Sequence, residues 1–356
     1  MSELTANRGE WSELYALFKI FSEHSVVAAD MNLQPTNEKY TFLQVLREDI
    51  PNRKYIYDLQ TDNIVKIYDA DGVVVKVVDI SDLPEKTKSI FRKIKEADEP
   101  TFAINEAIGV MADLLLEKIK ANSGEKADIV AIVKDKIAEQ SKLGFSIKSQ
   151  IGGASTLLNA SKQTNFTFNI KRFSGSADQI NDISGKSKIR DRLQQIFNAG
   201  GTLEYSHITS QSFTKNLRVV DTVLPQIIAN MLVDYYSSKA SSLQELCEHC
   251  ANNNAFGLGK TEIMFKVKSF LRAVALGMVP NKEWSARLSA YGGYIVVRDD
   301  GLLLCYHLYN DDDFKDYLFN NTKFDTPSST RHDFGTIYFQ DEQPMINLNL
   351  QIRFFK

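Results

Sequence analysis

Two strand-like runs constrain this sequence more than any other feature. Residues 127–133 read ADIVAIV and residues 143–151 read LGFSIKSQI. Side chains of a strand alternate between its two faces. Phe145, Ile147 and Ile151 therefore share one face of the second run, and Ser146, Lys148 and Gln150 the other. A lysine in mid-strand is unfavourable to bury without a partner. Its polar neighbours two residues to either side predict that this face lines a cleft rather than a core.

Other patterns place this strand pair in a larger plan. Residues 10–24 read as a helix, with Trp11, Leu14, Tyr15, Phe18 and Phe21 on one apolar face. Strand-like runs at 40–46 and 64–78 follow, the latter folded at Asp71-Gly72. Helical stretches come at 85–95 and 103–121. A basic segment, 184–192, leads into a helix that ends at Gly200-Gly201. Further helices are expected near 222–238, 243–252 and 261–276, the last closed by Gly277. Beyond Tyr291 the pattern returns to strands, GGYIVV and LLLCYHLY, on either side of Asp300-Gly301. The order predicts an α/β (mixed α+β) protein with a catalytic region over 1–175 and a helical-plus-β region over 176–356. A chain of 356 residues is long enough for one large core or for two domains.

Several function classes are disfavoured. No apolar run approaches the ~18 residues of a membrane span, and the first residues, MSELTANRGEWSELY, are too polar for a secretory signal. The 3 cysteines cannot form a disulfide framework, which suits a reducing cytoplasm. A net charge of −3 argues against bulk coating of nucleic acid, yet a local basic surface is enough for site-specific binding. Residues 160–220 carry nine basic side chains (Lys162, Lys171, Arg172, Lys186, Lys188, Arg190, Arg192, Lys215 and Arg218) against four acidic ones. That is either a footprint for a phosphate backbone or a solvated helix face.

Asp128 opens one strand and Lys148 lies inside the next. An acid and a lysine so placed suit metal-dependent phosphodiester cleavage: the carboxylate holds Mg²⁺ and the lysine meets charge developing on the phosphate oxygens. The plain alternative is a strand-end Asp128 and a Lys148 that reaches solvent. Glu10 and Glu13, three apart on one helical face, are further metal-ligand candidates, or simply acids that favour a helix N-terminus. Three other motifs fail. Gly257-Leu-Gly259-Lys260-Thr261 has Asn254 where a P-loop needs glycine. Cys247-x-x-Cys250 with Cys305 and His307 reads as buried thiols rather than a zinc site. Asp311, Asp312 and Asp313 lack calcium-loop spacing and read as a solvated turn.

RGEWSELYALFKIF, GFSIKSQIGGASTLLNASKQTNF, the stretch from LGMVPNKEW through YGGYIVV, TPSSTRHDFGTIY and the final NLNLQIRF together resemble HpaII-type restriction endonucleases. The blocks run from residue 8 to the C-terminus, in order. The resemblance implies a PD-(D/E)xK nuclease fold, a restriction-endonuclease-like central mixed sheet flanked by helices, and Mg²⁺-dependent cleavage of double-stranded DNA at CCGG-like sites. It implies Asp128 as the metal-binding acid, Lys148 as the motif lysine, and Glu13, with Glu10 as the alternative, as a helix carboxylate brought to the metal. The sequence departs from the pattern two residues before Lys148, where Ser146 replaces Asp or Glu. Either Glu13 supplies the missing charge, or Gln150 helps to position water, or metal affinity is low, and the Ile147 carbonyl is a further candidate oxygen ligand. Asp135 and Glu139 are spare acids. For DNA contacts the candidates are Lys186, Lys188, Arg190, Arg192, Arg331 and His332, since Arg or Lys reads guanine edges. Gly152-Gly153, Ser155, Thr156 and Asn159 are placed to approach the backbone. A palindromic target suggests a homodimer, with a monomer that nicks each strand in turn as the alternative. A cognate DNA methyltransferase is expected in the host. The rival readings are a repair or junction nuclease of the same fold and a DNA-binding protein that no longer cuts.

Overall fold

The computed structural model describes residues 4–120, 127–134, 140–238, 240–253, 256–287, 292–307 and 311–355. In chain order the elements are α1 (Arg8–Glu23), β1 (Ser25–Ala29), β2 (Pro35–Ile50), β3 (Arg53–Thr61), β4 (Ile64–Tyr68), β5 (Val74–Asp79), α2 (Leu83–Glu96), α3 (Asn105–Asp113), β6 (Ile129–Lys134) and β7 (Gln140–Ser149). Then come β8 (Thr156–Leu158), β9 (Asn165–Lys171), α4 (Ala177–Asn181), α5 (Lys188–Asn198), β10 (Thr202–Ile208), α6 (Gln211–Val220), α7 (Leu224–Ser237), α8 (Leu243–Asn252) and α9 (Lys260–Ala275). The chain closes with β11 (Gly293–Val297), β12 (Leu303–Tyr306), α10 (Asp311–Asn321), β13 (Thr322–Phe324), α11 (Ser329–His332), β14 (Ile337–Gln340), β15 (Gln343–Asn349) and β16 (Ile352–Phe354).

Two compact units share the chain: Met1–Ser155 with Leu288–Tyr317, and Thr156–Arg287 with Leu318–Phe355. Residue 175, where the sequence suggested a division, therefore lies within the second unit, just after β9. The strands β11 and β12 return to the first.

The first unit holds a nine-stranded mixed sheet in the order β1-β12-β11-β7-β6-β2-β3-β4-β5. The expected mixed sheet is thus present, but curled: β1 also pairs with the start of β2, so six strands close into a ring. β6 and β7 are antiparallel, with Ile129 opposite Phe145, while β7 and β11 run parallel, with Ser146 beside Tyr294. Phe145, Ile147, Ile295 and Val297 join one core with Trp11, Leu14, Phe18 and Phe21 of α1. That helix starts at a reciprocal cap between Asn7 and Glu10 and stops where His24 turns left-handed, a conformation that breaks the i→i−4 ladder. Gly293 has φ 122°, and a Cβ there would lie 1.9 Å from the Tyr306 carbonyl oxygen, so only glycine lets β11 lie this close to β12.

The second unit contains an antiparallel sheet, β10-β9-β15-β14, and a small three-stranded one, β13-β16-β8. Its longest apolar helix, α7, buries Ile227, Ile228, Met231, Leu232 and Tyr236.

Two expectations need correction. The helix expected over 103–121 ends as α3 at Asp113, and Leu115 is left-handed at φ 56°. Asp311, Asp312 and Asp313 do not form a solvated turn; they open α10, where carboxylates oppose the positive end of the helix dipole.

Candidate active site and cationic surface

The order of the strands, rather than any helix, assembles the candidate site in the first unit. Asp128 lies just before β6, and its amide donates to the Phe145 carbonyl at 2.8 Å. Its carboxylate Oδ2 accepts from the Ile147 amide at 2.7 Å and from the Ser146 hydroxyl at 3.2 Å. Among the described residues Oδ1 accepts nothing, so one oxygen is held rigidly by β7 and the other is free to bind. Lys148 follows on the same face of β7, beside Val296, and forms no ion pair among the described residues.

Glu13 enters from α1, its side chain 21% exposed, with Lys120 Nζ 3.5 Å from its Oε1. Burial pushes its carboxyl up to about 7, and the Asp128 charge pushes the same way, while Lys120 and Lys148 act against both. The Glu13 carboxyl thus responds to the charges of both Asp128 and Lys148, which places it in their neighbourhood. Two repelling carboxylates with a lysine beside them are the arrangement a hard cation relieves.

The other candidates separate. Glu10 is half-buried and its Oε2 accepts from the Asn7 amide at 3.0 Å; it caps the helix, and no contact with Asp128 is found among the described residues. Ser146 spends its hydroxyl on Asp128. A carboxylate at 146 would face Asp128 across the same short gap, so the residue that departs from the family motif orients the first acid instead of repeating it. Ile147 contributes its amide to Asp128. Gln150 is exposed beyond the end of β7, its backbone amide bonded to the Val297 carbonyl at 2.9 Å. Asp135 and Glu139 lie outside the described residues. Lys120 carried no sequence signal, because its role depends on a meeting with a residue 107 positions earlier.

Among the described residues no group of three or more His, Cys, Asp or Glu side chains converges. Two carboxylates, one of them oriented by the Ile147 amide and the Ser146 hydroxyl, nevertheless fit Mg²⁺, which keeps several waters and commonly binds through one or two carboxylates. The unbonded Oδ1 of Asp128 and the raised pKa of Glu13 both agree with such an ion.

In the second unit the basic residues sort into three groups. Lys162, Lys171 and Lys215 pair with Asp333, Glu204 and Glu283, weak links for exposed charges. Arg192 is a correction to its reading as a DNA contact: it is only 6% exposed. Its guanidinium donates to the carbonyls of Gly335 at 2.6 Å and Ile183 at 2.8 Å, and also to that of Asn181. Ile189, Arg192, Leu193 and Ile196 form the buried stripe of α5, so the 3–4 spacing already placed Arg192 inward. Lys186 and Arg190 point the other way. They line a cleft of about 230 Å³ with Ser187, Tyr235, Ser241 and Thr326, and neither forms an ion pair among the described residues. Lys188 is half-buried and Arg331 exposed. Ser328 caps α11, placing His332 half-buried at its last residue. Ser155 is half-buried in the first unit, and Asn159 is exposed in the second.

The rejected motifs are structural. Burial pushes the Cys247 and Cys250 thiols up to about 12 and about 11, and raises that of Cys305 as well. Cys305 belongs to β12 and the other two to α8. Gly259 caps α9 and Lys260 pairs with Glu248.

No solved structure matches the chain. It is 40% identical to the type II restriction enzyme HpaII of Haemophilus parainfluenzae, over 98% of either chain. Residues 7–354 match the HpaII restriction endonuclease family. On that match over nearly the whole chain, this chain belongs to the HpaII restriction endonuclease family.

Proposed function

We propose that the chain is a type II restriction endonuclease that hydrolyses phosphodiester bonds of double-stranded DNA at a fixed, CCGG-like sequence, with Asp128, Glu13 and Lys148 as its catalytic residues. One observation carries the assignment of residues: Asp128 is hydrogen-bonded to Ser146 and Ile147, the two β7 residues just before Lys148, while the raised Glu13 carboxyl responds to the charges of both Asp128 and Lys148. Asp128, through Oδ1, and Glu13 would hold Mg²⁺. Bound there, the ion would polarise the scissile phosphate and lower the pKa of water. Lys148 donates to the phosphate oxygens as charge grows on them during in-line attack. Ser146 and the Ile147 amide fix the Asp128 carboxylate, and Lys120 partly neutralises Glu13.

Lys186, Lys188, Arg190 and Arg331 are the outward cations proposed to meet the duplex, with Ser155, Asn159 and His332 as further contacts. The Lys186–Arg190 cleft suits a backbone phosphate because its lining contains no carboxylate. Two strands of a palindrome call for two active sites, which a homodimer supplies. A matching methyltransferase would protect the host genome. Among the described residues no helix is long and apolar enough to cross a membrane.

The test is incubation with a sequenced unmethylated plasmid, in Mg²⁺ and in EDTA, followed by mapping of the ends. Discrete fragments that need Mg²⁺ and share one sequence are expected. Tight, sequence-specific binding without cleavage would instead establish a DNA-binding protein that has lost catalysis, and cuts governed by DNA shape would establish a repair or junction nuclease.

A further inference from the structure

Tyr294 is fully buried, at 0% exposure, yet its hydroxyl has no hydrogen-bond partner among the described residues. Its ring is packed against Phe314, centroids 5.1 Å apart. Burial, Tyr317 and the Asp128 charge, in that order, hold the hydroxyl protonated, so it is a donor in want of an acceptor. A buried donor left unpaired loses its hydration with nothing in return, and native proteins rarely tolerate one without a bound water or ion.

The sheet register shows where that partner sits. Tyr294 lies directly beside Ser146 in the parallel β7–β11 ladder, so both side chains leave the same face. Ser146 in turn donates to Asp128. Three neighbouring backbone segments thus set Tyr294, Ser146 and Asp128 in a row, ending at the carboxylate whose Oδ1 is free. A water needs two to four polar partners, and this row offers the Tyr294 hydroxyl, the Ser146 hydroxyl and Asp128 Oδ1.

We propose that Tyr294 is a positioning residue of the catalytic centre, its hydroxyl holding a water molecule against the Asp128 carboxylate. The water fixes the orientation of Oδ1 from behind, as the Ile147 amide fixes Oδ2, so the acid meets its cation already aligned. The proposal rests on the nuclease reading of the Asp128 site.

Tyr294→Phe removes the hydroxyl and keeps the ring on Phe314. Calorimetric titration with Ca²⁺, without DNA, should show about tenfold weaker binding than wild type, in the range seen when partners of metal ligands are lost. Cleavage should show about tenfold lower kcat with the KM for duplex unchanged. Tyr306→Phe is the control: its hydroxyl donates to the Asp30 carbonyl at 2.6 Å, so stability should fall and Ca²⁺ affinity should not. Tyr294→Phe with wild-type Ca²⁺ affinity and kcat would overturn the proposal, whatever its melting temperature. A wild-type protein that binds no Ca²⁺ would overturn it together with the cation site. A wild-type protein that binds Ca²⁺ without cutting DNA would overturn the nuclease reading alone, and the affinity comparison would still decide the role of Tyr294.

Discussion

The charged residues of the first unit and those of the second obey different rules. Around Asp128 the acids and Lys148 are half-buried, and Glu13 reaches about 7 because it is shielded from water and feels the Asp128 carboxylate. Around α5 the cations that face outward, Lys186 and Arg190, are exposed and act through bulk electrostatics. Chemistry on a phosphate demands fixed geometry and poorly screened charge, which the sheet would give the proposed catalytic residues Asp128 and Lys148. Holding a duplex demands only positive charge at the right height, which the cations proposed for that role would present from the surface at and just before α5.

The sharpest way to break this contrast is Lys148→Ala. Cleavage should fall by at least about 10²–10³-fold, while binding to target duplex in Ca²⁺, read by fluorescence anisotropy, stays near wild type. Residual cleavage at a normal rate would remove Lys148 from the chemistry.

Next in size is Arg192→Ala. Truncation leaves the carbonyls of Gly335, Asn181 and Ile183 without their donor, and stability should drop by about 2–4 kcal/mol, allowing for the charge-assisted bonds. Urea denaturation measures this. Arg190, two residues earlier on the same helix, provides the opposite case below.

A third test uses pH. The folded carboxyl of Glu13 titrates near 7 and the unfolded one near 4.3, so between those values the folded state binds the extra proton. Stability contributed at this site is therefore full below the unfolded pKa and declines as pH rises through about 7. Glu13→Gln removes that decline. In metal-free buffer at pH 8 its melting temperature should exceed wild type by about 2–6 °C, and at pH 4 the two should coincide. Equal melting curves at both pH values would show that burial and the Asp128 charge do not hold the Glu13 carboxyl above its ordinary range.

The smallest effect is expected at the surface. Arg190→Ala should leave the melting temperature unchanged and lower the salt dependence of duplex binding by about one unit of slope, equally for target and non-target DNA. A loss confined to the target would make Arg190 a base reader instead of a phosphate contact.

Local pattern revealed much of this in advance. The apolar stripe of Trp11, Leu14, Phe18 and Phe21 marked α1, a short apolar run marked β6, the 2-residue period marked β7, and Asp300-Gly301 marked the β11–β12 turn, because each is a short-range regularity. Strand β9, NFTFNIK, carries the same alternation, with Phe166, Phe168 and Ile170 on one face, and is missing from the expected strands although its period of two was there to read; its pairing with β10 and β15 was not. Arg192 was misread because its charge drew more weight than its position in the buried stripe of α5.

By itself the sequence determined the family, the strand pair, and the acid and lysine upon it, since blocks of residues and a period of two are properties of neighbours along the chain. Only the tertiary structure decided that Glu13 and not Glu10 faces Asp128, that Ser146 orients the acid, that Lys120 joins it, and that Tyr294 sits in the same row. Those relations join residues far apart in sequence. They exist only once β11 has returned to lie beside β7, because burial and the short distances that shift a charge arise from packing and have no local signature.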